Sequence, residues 1–194
     1  MNVQSEKKGT RDRLLDAATT LLRRSGLTGA GINEIVRESG APKGSVYHHF
    51  PDGKEQIATE ALARHARAVV AFIDAAVAGK RSPPAKLEAL FEAFAVRVEQ
   101  GEFLHTCPAG TVCLDLEAGM EGLRLAVADS FEAYLGAIAR QFPLATAQRT
   151  RSFAGLALTA IEGAYLRCRA ERSGAPFREA GHWLVTLLRG EVRR

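Results

Sequence analysis

The sequence lacks the features that would place it in a membrane or outside the cell. Its longest continuous apolar run, residues 68–73, is far shorter than the roughly 18 residues that a membrane-spanning helix needs. Residues 1–13 are polar, carry four Lys and Arg, and are not followed by an apolar segment of signal-peptide length. Three cysteines are an odd number and too few for a disulfide framework. We therefore expect a cytoplasmic chain without contact with a membrane.

Motifs for catalysis, cofactors and metals are also absent. The sequence contains no Gly-rich phosphate loop, no nucleophile-elbow motif and no pair of histidines on one helix face. His48 and His49 are adjacent, so on a helix they point in different directions and form no catalytic dyad. Cys107 and Cys113 lie near His105, but no second pair of ligands at zinc-site spacing follows. We predict no enzyme, no cofactor and no metal; a cysteine-based redox sensor remains an alternative.

The sequence does contain helical periodicity over nearly its whole length. Of the 194 residues, 46% are hydrophobic and 25% are charged, as in ordinary globular proteins. Apolar residues recur every three or four positions, and no alternating strand pattern is present, so the predicted fold class is all-α with about nine helices. Caps are predicted at Thr10 and Asp52, and helix ends at Gly26 and Gly40. The helices are predicted over residues 10–26, 32–40, 42–50, 52–79, 82–101, 106–117, 121–141, 146–172 and 177–192.

The chain divides into two parts. Residues 1–54 form a compact N-terminal helical unit, and residues 55–194 form a larger C-terminal bundle, with the long fourth helix as the bridge. The N-terminal unit carries nine Lys and Arg against six Asp and Glu, and the whole chain has a net charge of +4. A basic excess concentrated in one unit permits nucleic-acid binding without demonstrating it.

Residues 32–50 have the spacing of a helix-turn-helix. Gly40 supplies the small residue that the turn requires, and Ile35 and Val46 are among the apolar residues of the inner faces. Val36 and Phe50 complete that inner set. The outer face is left with hydrogen-bond donors, of the type that contact phosphates and base edges, at Lys43, Ser45, Tyr47 and His48.

The segment GAPKGSVYHHFPDGKEQI, residues 40–57, resembles the DNA-binding domain of the TetR family of bacterial transcriptional regulators. Tyr47, Phe50 and Lys54 occupy the family's positions for a tyrosine, a following aromatic residue and a lysine at the start of the fourth helix. The stretches FPDGKEQ and CPAGTVCLDLE are similar to the LmrA and YxaF branch. The resemblance implies an all-α homodimer that binds a palindromic operator in double-stranded DNA and releases it when a small-molecule effector enters the C-terminal domain.

Carried over residue by residue, the resemblance implies a set of DNA contacts in the N-terminal unit. The chain departs from the family pattern at Ala30 and Gly31, where Thr and Ser are usual, and by one extra residue between Phe50 and Lys54. The predicted DNA-binding residues are Thr28, Lys43, Gly44, Ser45, Tyr47, His48 and Lys54.

The C-terminal bundle carries aromatic residues at helical spacing together with a few isolated polar residues. Such residues are usually core, but facing helices of a bundle also enclose apolar pockets with a few orienting polar groups. We therefore predict a pocket for an aromatic or amphipathic ligand. Its predicted residues are Phe91, Phe94, Phe103, Cys107, Thr111, Phe131, Tyr134, Thr159, Glu162 and Tyr165.

The last two helices carry a stripe of small and apolar residues. Together with the same helices of a second copy, they would form a four-helix dimer interface, although packing within one chain explains the same stripe. The predicted interface residues are Phe153, Ala157, Ala160, Ile161, Ala164, Trp183, Leu184, Leu187 and Leu188. A different class of function, a helical small-molecule sensor or binding protein without operator-specific activity, remains open.

Overall fold

The computed structural model describes residues 8–192, with side chains through residue 190. Glu6 and Lys7, which contribute to the predicted N-terminal charge, lie outside the described residues. Within the described part, the chain forms nine α-helices and no β-strand, which confirms the all-α prediction. The helices are α1 Thr10–Gly29, α2 Ile32–Ser39, α3 Ser45–His49, α4 Gly53–Val77, α5 Pro83–Gln100, α6 Pro108–Leu114, α7 Glu121–Gln141, α8 Ala147–Glu171 and α9 Ala175–Val192.

Helices α1 to α3 pack around a small apolar core with the start of α4. Ile35, Val46 and Phe50 are completely or almost completely buried there. Gly40 ends α2 in the left-handed region, with φ of 61°, which a glycine adopts without steric cost. The guanidinium of Arg13, on α1, donates to the backbone oxygen of Ser39 at 3.1 Å. Thus α1 holds the end of α2 and fixes the direction in which the chain continues to α3.

The C-terminal helices form a bundle around an aromatic centre. Helix α4 packs along α7, α5 packs along α9, and α8 packs against both α7 and α9. Phe94 and Phe177 stack with ring centroids 5.5 Å apart, and Tyr165 meets Phe177 edge-on at 5.1 Å. Because α4 also packs against α1, it joins the two parts of the chain. No helix in the range 8–192 is long and apolar enough to cross a bilayer.

Two predicted helix caps are wrong. Helix α1 has Gly9 at its N-cap and Thr10 as its first residue, and no side chain caps it. Asp52 is the N-cap residue of α4, but its side chain makes no capping bond. Instead, the side-chain oxygen of Gln56 accepts from the backbone N–H of Asp52 at 3.1 Å. A side chain from inside the helix thus satisfies a backbone donor at its start.

Several predicted boundaries also move. Helix α4 ends at Val77 instead of residue 79 and α9 begins at Ala175 instead of residue 177, and larger changes occur at α1, α3 and α6. Helix α1 breaks at Gly26, where φ is 67°, but resumes and continues to Gly29. Helix α3 begins at Ser45 instead of Pro42, because the N–H and hydroxyl of Ser45 both donate to the carbonyl of Pro42, at 3.0 and 2.6 Å. Helix α6 spans Pro108–Leu114 instead of 106–117, because Thr106 donates its N–H to Arg23 of α1, at 3.0 Å.

Candidate functional site

Helix α3 and the turn before it present donors to solvent. Lys43, Gly44 and His48 are exposed, and the ring of Tyr47 is 59% exposed. The hydroxyl of Ser45 is half-buried and holds the turn through Pro42. The face opposite the buried Val46 therefore consists of a cation, a phenol and an imidazole, with no carboxylate among them.

Tyr47 lies beside the start of α4. A Cβ added at Gly53 would lie 3.7 Å from Cε1 of the Tyr47 ring, so the ring is next to the turn of helix that carries the half-buried Lys54. Within residues 8–192, Lys43 and Lys54 make no ion pair. Three other basic side chains of this region are paired with carboxylates, namely Lys8, Arg11 and Arg37. The charges of Lys43 and Lys54, near Tyr47, are thus available to an anionic partner.

Thr28 differs from the other predicted DNA-binding residues because its backbone contacts the segment that follows α6. Its side chain is exposed, but its backbone N–H donates to Oδ2 of Asp115, just after α6, at 2.9 Å. The same carboxylate lies against Gly26, where an added Cβ would be 2.5 Å from Oδ2. Thr28 therefore belongs to the junction between α1 and α6.

A cavity of about 540 Å³ lies between α6, α7 and α8. A narrow inner extension of about 20 Å³ continues towards α4 and α5 and shares Cys107, Glu162 and Tyr165 with it. The cavity brings six predicted ligand residues together, and the extension adds Phe94 and Tyr134. The six are Cys107, Thr111, Phe131, Thr159, Glu162 and Tyr165.

Two predicted ligand residues do not line this cavity. Phe91 is buried between α5 and α9, where Gly181 allows close approach: a Cβ added at Gly181 would be 2.7 Å from that of Phe91. Phe103 lies in the turn after α5, with its N–H bonded to the carbonyl of Val98 at 3.0 Å.

Several lining residues carried no signal in the sequence, because their helices meet only in the folded chain. One of the missed residues, His65, was detectable as a histidine in an otherwise apolar stripe of α4. The missed residues are His65, Val69, Ile73, Thr106, Gly110, Cys113, Leu114, Ile138, Leu158, Ile161, Gly163 and Leu166.

Glu162 is the ionisable group of the cavity that responds near neutral pH. Burial raises its pKa to about 7, opposed by a hydrogen bond with the Cys107 thiol. Burial and the nearby Glu162 raise the pKa of Cys107 well above its usual value. Cys107 therefore stays a protonated thiol, which is a poor nucleophile and oxidises slowly. This protonation argues against a redox sensor centred on Cys107.

Three other ionisable groups around the cavity, all buried, remain uncharged near neutral pH. Burial, with Arg23 and Arg97 nearby, lowers the pKa of His65 to about 3. Burial also raises the pKa values of Tyr134 and Tyr165 above their usual range. The hydroxyl of Tyr134 is buried beside the Cys107 thiol, and no other group of residues 8–192 bonds to it. A thiol is a weak hydrogen-bond partner, so this buried hydroxyl is available to a ligand.

Helix α6 and its flanking residues connect the cavity to α1. Thr111 lines the cavity, and its hydroxyl donates to the carbonyl of Leu22 at 2.7 Å. Thr106 also lines the cavity and bonds to the carbonyl of Arg23 through both its N–H and its hydroxyl, each at 3.0 Å. The same short segment therefore forms a cavity wall and the support of α1.

Most of the predicted dimer residues lie inside the protomer. They belong to the faces of α8 and α9 that pack within their own chain, so they are not available to a partner surface; Phe153, for example, meets Phe142 with ring centroids 6.1 Å apart. The buried residues are Phe153, Ala157, Ile161, Ala164, Leu184 and Leu188. Ala160 is partly buried, whereas Trp183 is 70% exposed and Leu187 is 49% exposed. Leu156 and Leu166, on α8, are also exposed, which the stripe did not predict.

Metal binding has no support in the part of the chain that the structure describes. Across residues 8–192, no group of three or more His, Cys, Asp and Glu side chains is arranged to hold a metal ion.

Two family models match the chain and define its class. The description "Bacterial regulatory proteins, tetR family" matches residues 14–66, and "Transcriptional regulator LmrA/YxaF-like, C-terminal domain" matches residues 83–182. An uncharacterised HTH-type transcriptional regulator of Mycobacterium tuberculosis is 31% identical, over 95% of this chain and 97% of that protein. The chain therefore belongs to the TetR family of bacterial transcriptional regulators. Proteins of this family act as regulators and not as enzymes.

Individual relatives and solved structures agree with this assignment. The regulator LmrA of Bacillus subtilis is 26% identical, over 93% of this chain and 97% of that protein. The fold is similar to that of the regulatory protein TetR from Rhodobacter sphaeroides, with a TM-score of 0.82, 21% identity and coverage of 91% and 97% of the two chains. It is also similar to a cysteine mutant of the regulator CifR in complex with 26-base-pair operator DNA, with a TM-score of 0.77, 17% identity and coverage of 91% and 95%.

Proposed function

We propose that the chain is a homodimeric repressor that binds a palindromic operator and releases it when a small aromatic or amphipathic effector enters the cavity between α6, α7 and α8. The observation that carries this proposal is that the α6 segment both lines the cavity and supports α1, which packs against the helix-turn-helix. Operator DNA lies in the cytoplasm of bacteria, so this function requires a cytoplasmic protein.

The exposed face of α3 supports DNA binding. In a helix-turn-helix, the second helix enters the major groove, and donors at its start reach phosphates and base edges. Lys43, Tyr47 and His48 are such donors, and all three are exposed. Lys54, near the start of α4, adds a cation beside Tyr47. The regulator CifR, which has a similar fold, has been solved in complex with operator DNA. That complex supports the proposal that α3 contacts DNA.

The exposed apolar residues of α8 and α9 support a dimer. Trp183 and Leu187 lie on α9, and Leu156 and Leu166 lie on α8, each at least 48% exposed. Large apolar side chains grouped on two adjacent helices mark a surface that a partner covers. A two-fold axis through this surface would relate the two α3 helices of the dimer by the same symmetry that relates the two half-sites of a palindromic operator. These four residues replace the buried part of the predicted stripe as the proposed interface.

The contacts of α6 and α4 support coupling between ligand and DNA. A ligand that binds more tightly to the conformation with wrongly placed α3 helices weakens DNA binding by its difference in affinity, typically about 1–3 kcal/mol. Thr106 and Thr111 connect the cavity to α1 directly, whereas α4 connects α7 to α1. We infer that both routes carry the coupling.

The test is a selection of random-sequence duplexes by the purified protein, combined with light scattering of the free and bound protein. We expect an inverted repeat with half-sites about one helical turn apart, bound by a dimer. A random pool of recovered sequences, with a dimer still present, would favour the sensor without operator-specific activity.

A further inference from the structure

We propose that the cavity recognises its ligand as a cation: an amphipathic compound with a protonated amine that pairs with the carboxylate of Glu162. This inference rests on the proposed function of the cavity as the effector site and names the chemical class of the effector. It depends on three observations: the isolation of Glu162 from cations, the occupation of the threonine hydroxyls, and the apolar walls.

Glu162 has no cationic partner. In residues 8–192, none of the ion pairs involves this carboxylate, and its hydrogen-bond partner is the uncharged thiol of Cys107. Gly110 makes room for it, because a Cβ added there would lie 2.7 Å from Oε2 of Glu162. The carboxylate is therefore seated against the backbone of α6, at the wall of the cavity.

The threonine hydroxyls of the cavity are already engaged with the protein. The hydroxyl of Thr111 donates to Leu22, and that of Thr159 donates to the carbonyl of Gly155 at 3.0 Å. The Glu162 carboxylate remains, with the uncharged His65, Tyr134 and Tyr165 around it. All four belong to the inner extension. This end of the cavity is therefore its polar end.

The two cations that act on groups around the cavity do not neutralise Glu162. Arg23 on α1 and Arg97 on α5 act on His65 and Tyr165, but not on this carboxylate. A carboxylate in an apolar cavity is stabilised by a ligand that brings the opposite charge. A neutral ligand leaves the Glu162 carboxylate without a positive partner, and an anionic ligand is repelled by the carboxylate. Apolar walls then hold the body of the ligand; they include Leu114, Phe131, Leu158 and Leu166.

The affinity for such a ligand should depend on pH through Glu162. The groups that face Glu162 are His65 on α4, Cys107 at the start of α6, Tyr134 on α7 and Tyr165 on α8. All four remain uncharged between pH 6 and pH 8, as their shifted pKa values require. Since the pKa of Glu162 is about 7, the ionised carboxylate becomes the major form over this interval.

The test uses three probes with the same apolar body and different charges: 2-naphthylmethylamine, 2-naphthylmethanol and 2-naphthoate. Binding to the full chain is measured by calorimetry at pH 6, 7 and 8. We expect the amine to bind wild type about tenfold more tightly than the alcohol at pH 8, and the naphthoate to bind least. The affinity for the amine should rise about tenfold between pH 6 and pH 8, while that for the alcohol should stay constant.

The variant Glu162→Gln should reduce amine affinity about tenfold, remove its pH dependence and leave alcohol binding unchanged. The control variant Glu117→Gln makes the same change at an exposed site outside the cavity and should leave all three affinities unchanged. Equal or tighter binding of the alcohol or the naphthoate to wild type would overturn the inference without a variant, and so would no binding of the amine at millimolar concentration. DNA binding by the ligand-free protein, measured separately, tests the proposed regulator function and is unaffected by either result.

Discussion

Thr111 lines the cavity and donates a 2.7 Å hydrogen bond to the backbone carbonyl of Leu22 in α1. The two residues lie 89 positions apart in the sequence, in different parts of the fold. A ligand that displaces α6 therefore acts on α1 through this bond, together with the bonds of Thr106 and Asp115.

The variant Thr111→Val should weaken the coupling between ligand and DNA. Valine keeps the shape but loses the donor, at a cost of about 1 kcal/mol in stability. We expect the ratio of DNA dissociation constants with and without 2-naphthylmethylamine to fall by about fivefold, within the range of such coupling energies. Thr159→Val is the matched control: it lines the same cavity, but its hydroxyl donates within α8. Equal ratios for the two variants would contradict this role of Thr111.

The variant Gly26→Ala should destabilise the junction of α1 and α6. The backbone of Gly26 has φ of 67° and ψ of −167°, and an added Cβ would lie 2.5 Å from Oδ2 of Asp115. Strain of this kind typically costs roughly 1–3 kcal/mol, measured as the free energy of unfolding in urea. Gly155→Ala, in the middle of α8 with open space around it, is the control and should be neutral or stabilising. Equal stabilities of the Gly26→Ala variant and wild type would show that the junction tolerates a side chain.

The variant Leu187→Glu should dissociate the dimer. Leu187 is 49% exposed on α9 beside the exposed Trp183, and a carboxylate there would be buried without a partner at the proposed interface. We expect light scattering to give a monomer at micromolar concentration and DNA affinity to fall at least about tenfold, because a monomer engages one half-site. Leu125→Glu, on α7 and also at a residue 49% exposed, should remain a dimer. A dimer in both variants would place the interface elsewhere.

The stability of the fold should depend on pH through His65. Burial lowers the pKa of His65 to about 3, so between that value and its ordinary pKa of 6.5 the unfolded chain binds a proton that the folded chain does not. Stability therefore falls as the pH decreases through this range. The variant His65→Gln should reduce the loss between pH 7 and pH 5 by about 1–2 kcal/mol in urea unfolding.

His182→Gln, at an exposed histidine, is the control for this comparison and should behave as wild type. Glu162 changes the stability in the opposite direction, because its pKa is raised to about 7. The contribution of His65 is therefore taken as the difference in the free energy of unfolding between His65→Gln and wild type at each pH. An unchanged pH dependence in His65→Gln would mean that His65 is protonated in the folded chain.

Periodicity predicted the helices well where each helix is amphipathic by itself. The bounds of α7 agree fully, and those of α5 and α8 agree to within one residue. At Gly26 and Thr106 the prediction erred because hydrogen bonds with distant residues decide where a helix breaks or starts, and at Pro42 it erred because a turn precedes the helix. Periodicity contains neither the distant partners nor the turn.

The candidate site was predictable in composition but not in geometry. Aromatic and polar residues of the C-terminal bundle were identified as pocket residues, yet the seating of Glu162 on Gly110 joins α8 to α6 and has no local signal. The dimer stripe on α8 was open to the same ambiguity, because both faces of α8 carry apolar residues and periodicity alone does not say which face a partner covers. The structure buries Ala157 and Ile161 within the chain and exposes Leu156 and Leu166.

The most direct test of DNA binding through α3 is a titration of the selected duplex over a range of salt concentrations, with wild type, Tyr47→Ala and Lys43→Ala. We expect a steep salt dependence for wild type, a loss of at least about tenfold in affinity for Tyr47→Ala, and a salt slope smaller by about one for Lys43→Ala. Lys80→Ala, at an exposed lysine between α4 and α5, should match wild type. If all four proteins bind the duplex with the same affinity and slope, α3 is not the DNA-binding helix and the central claim is wrong.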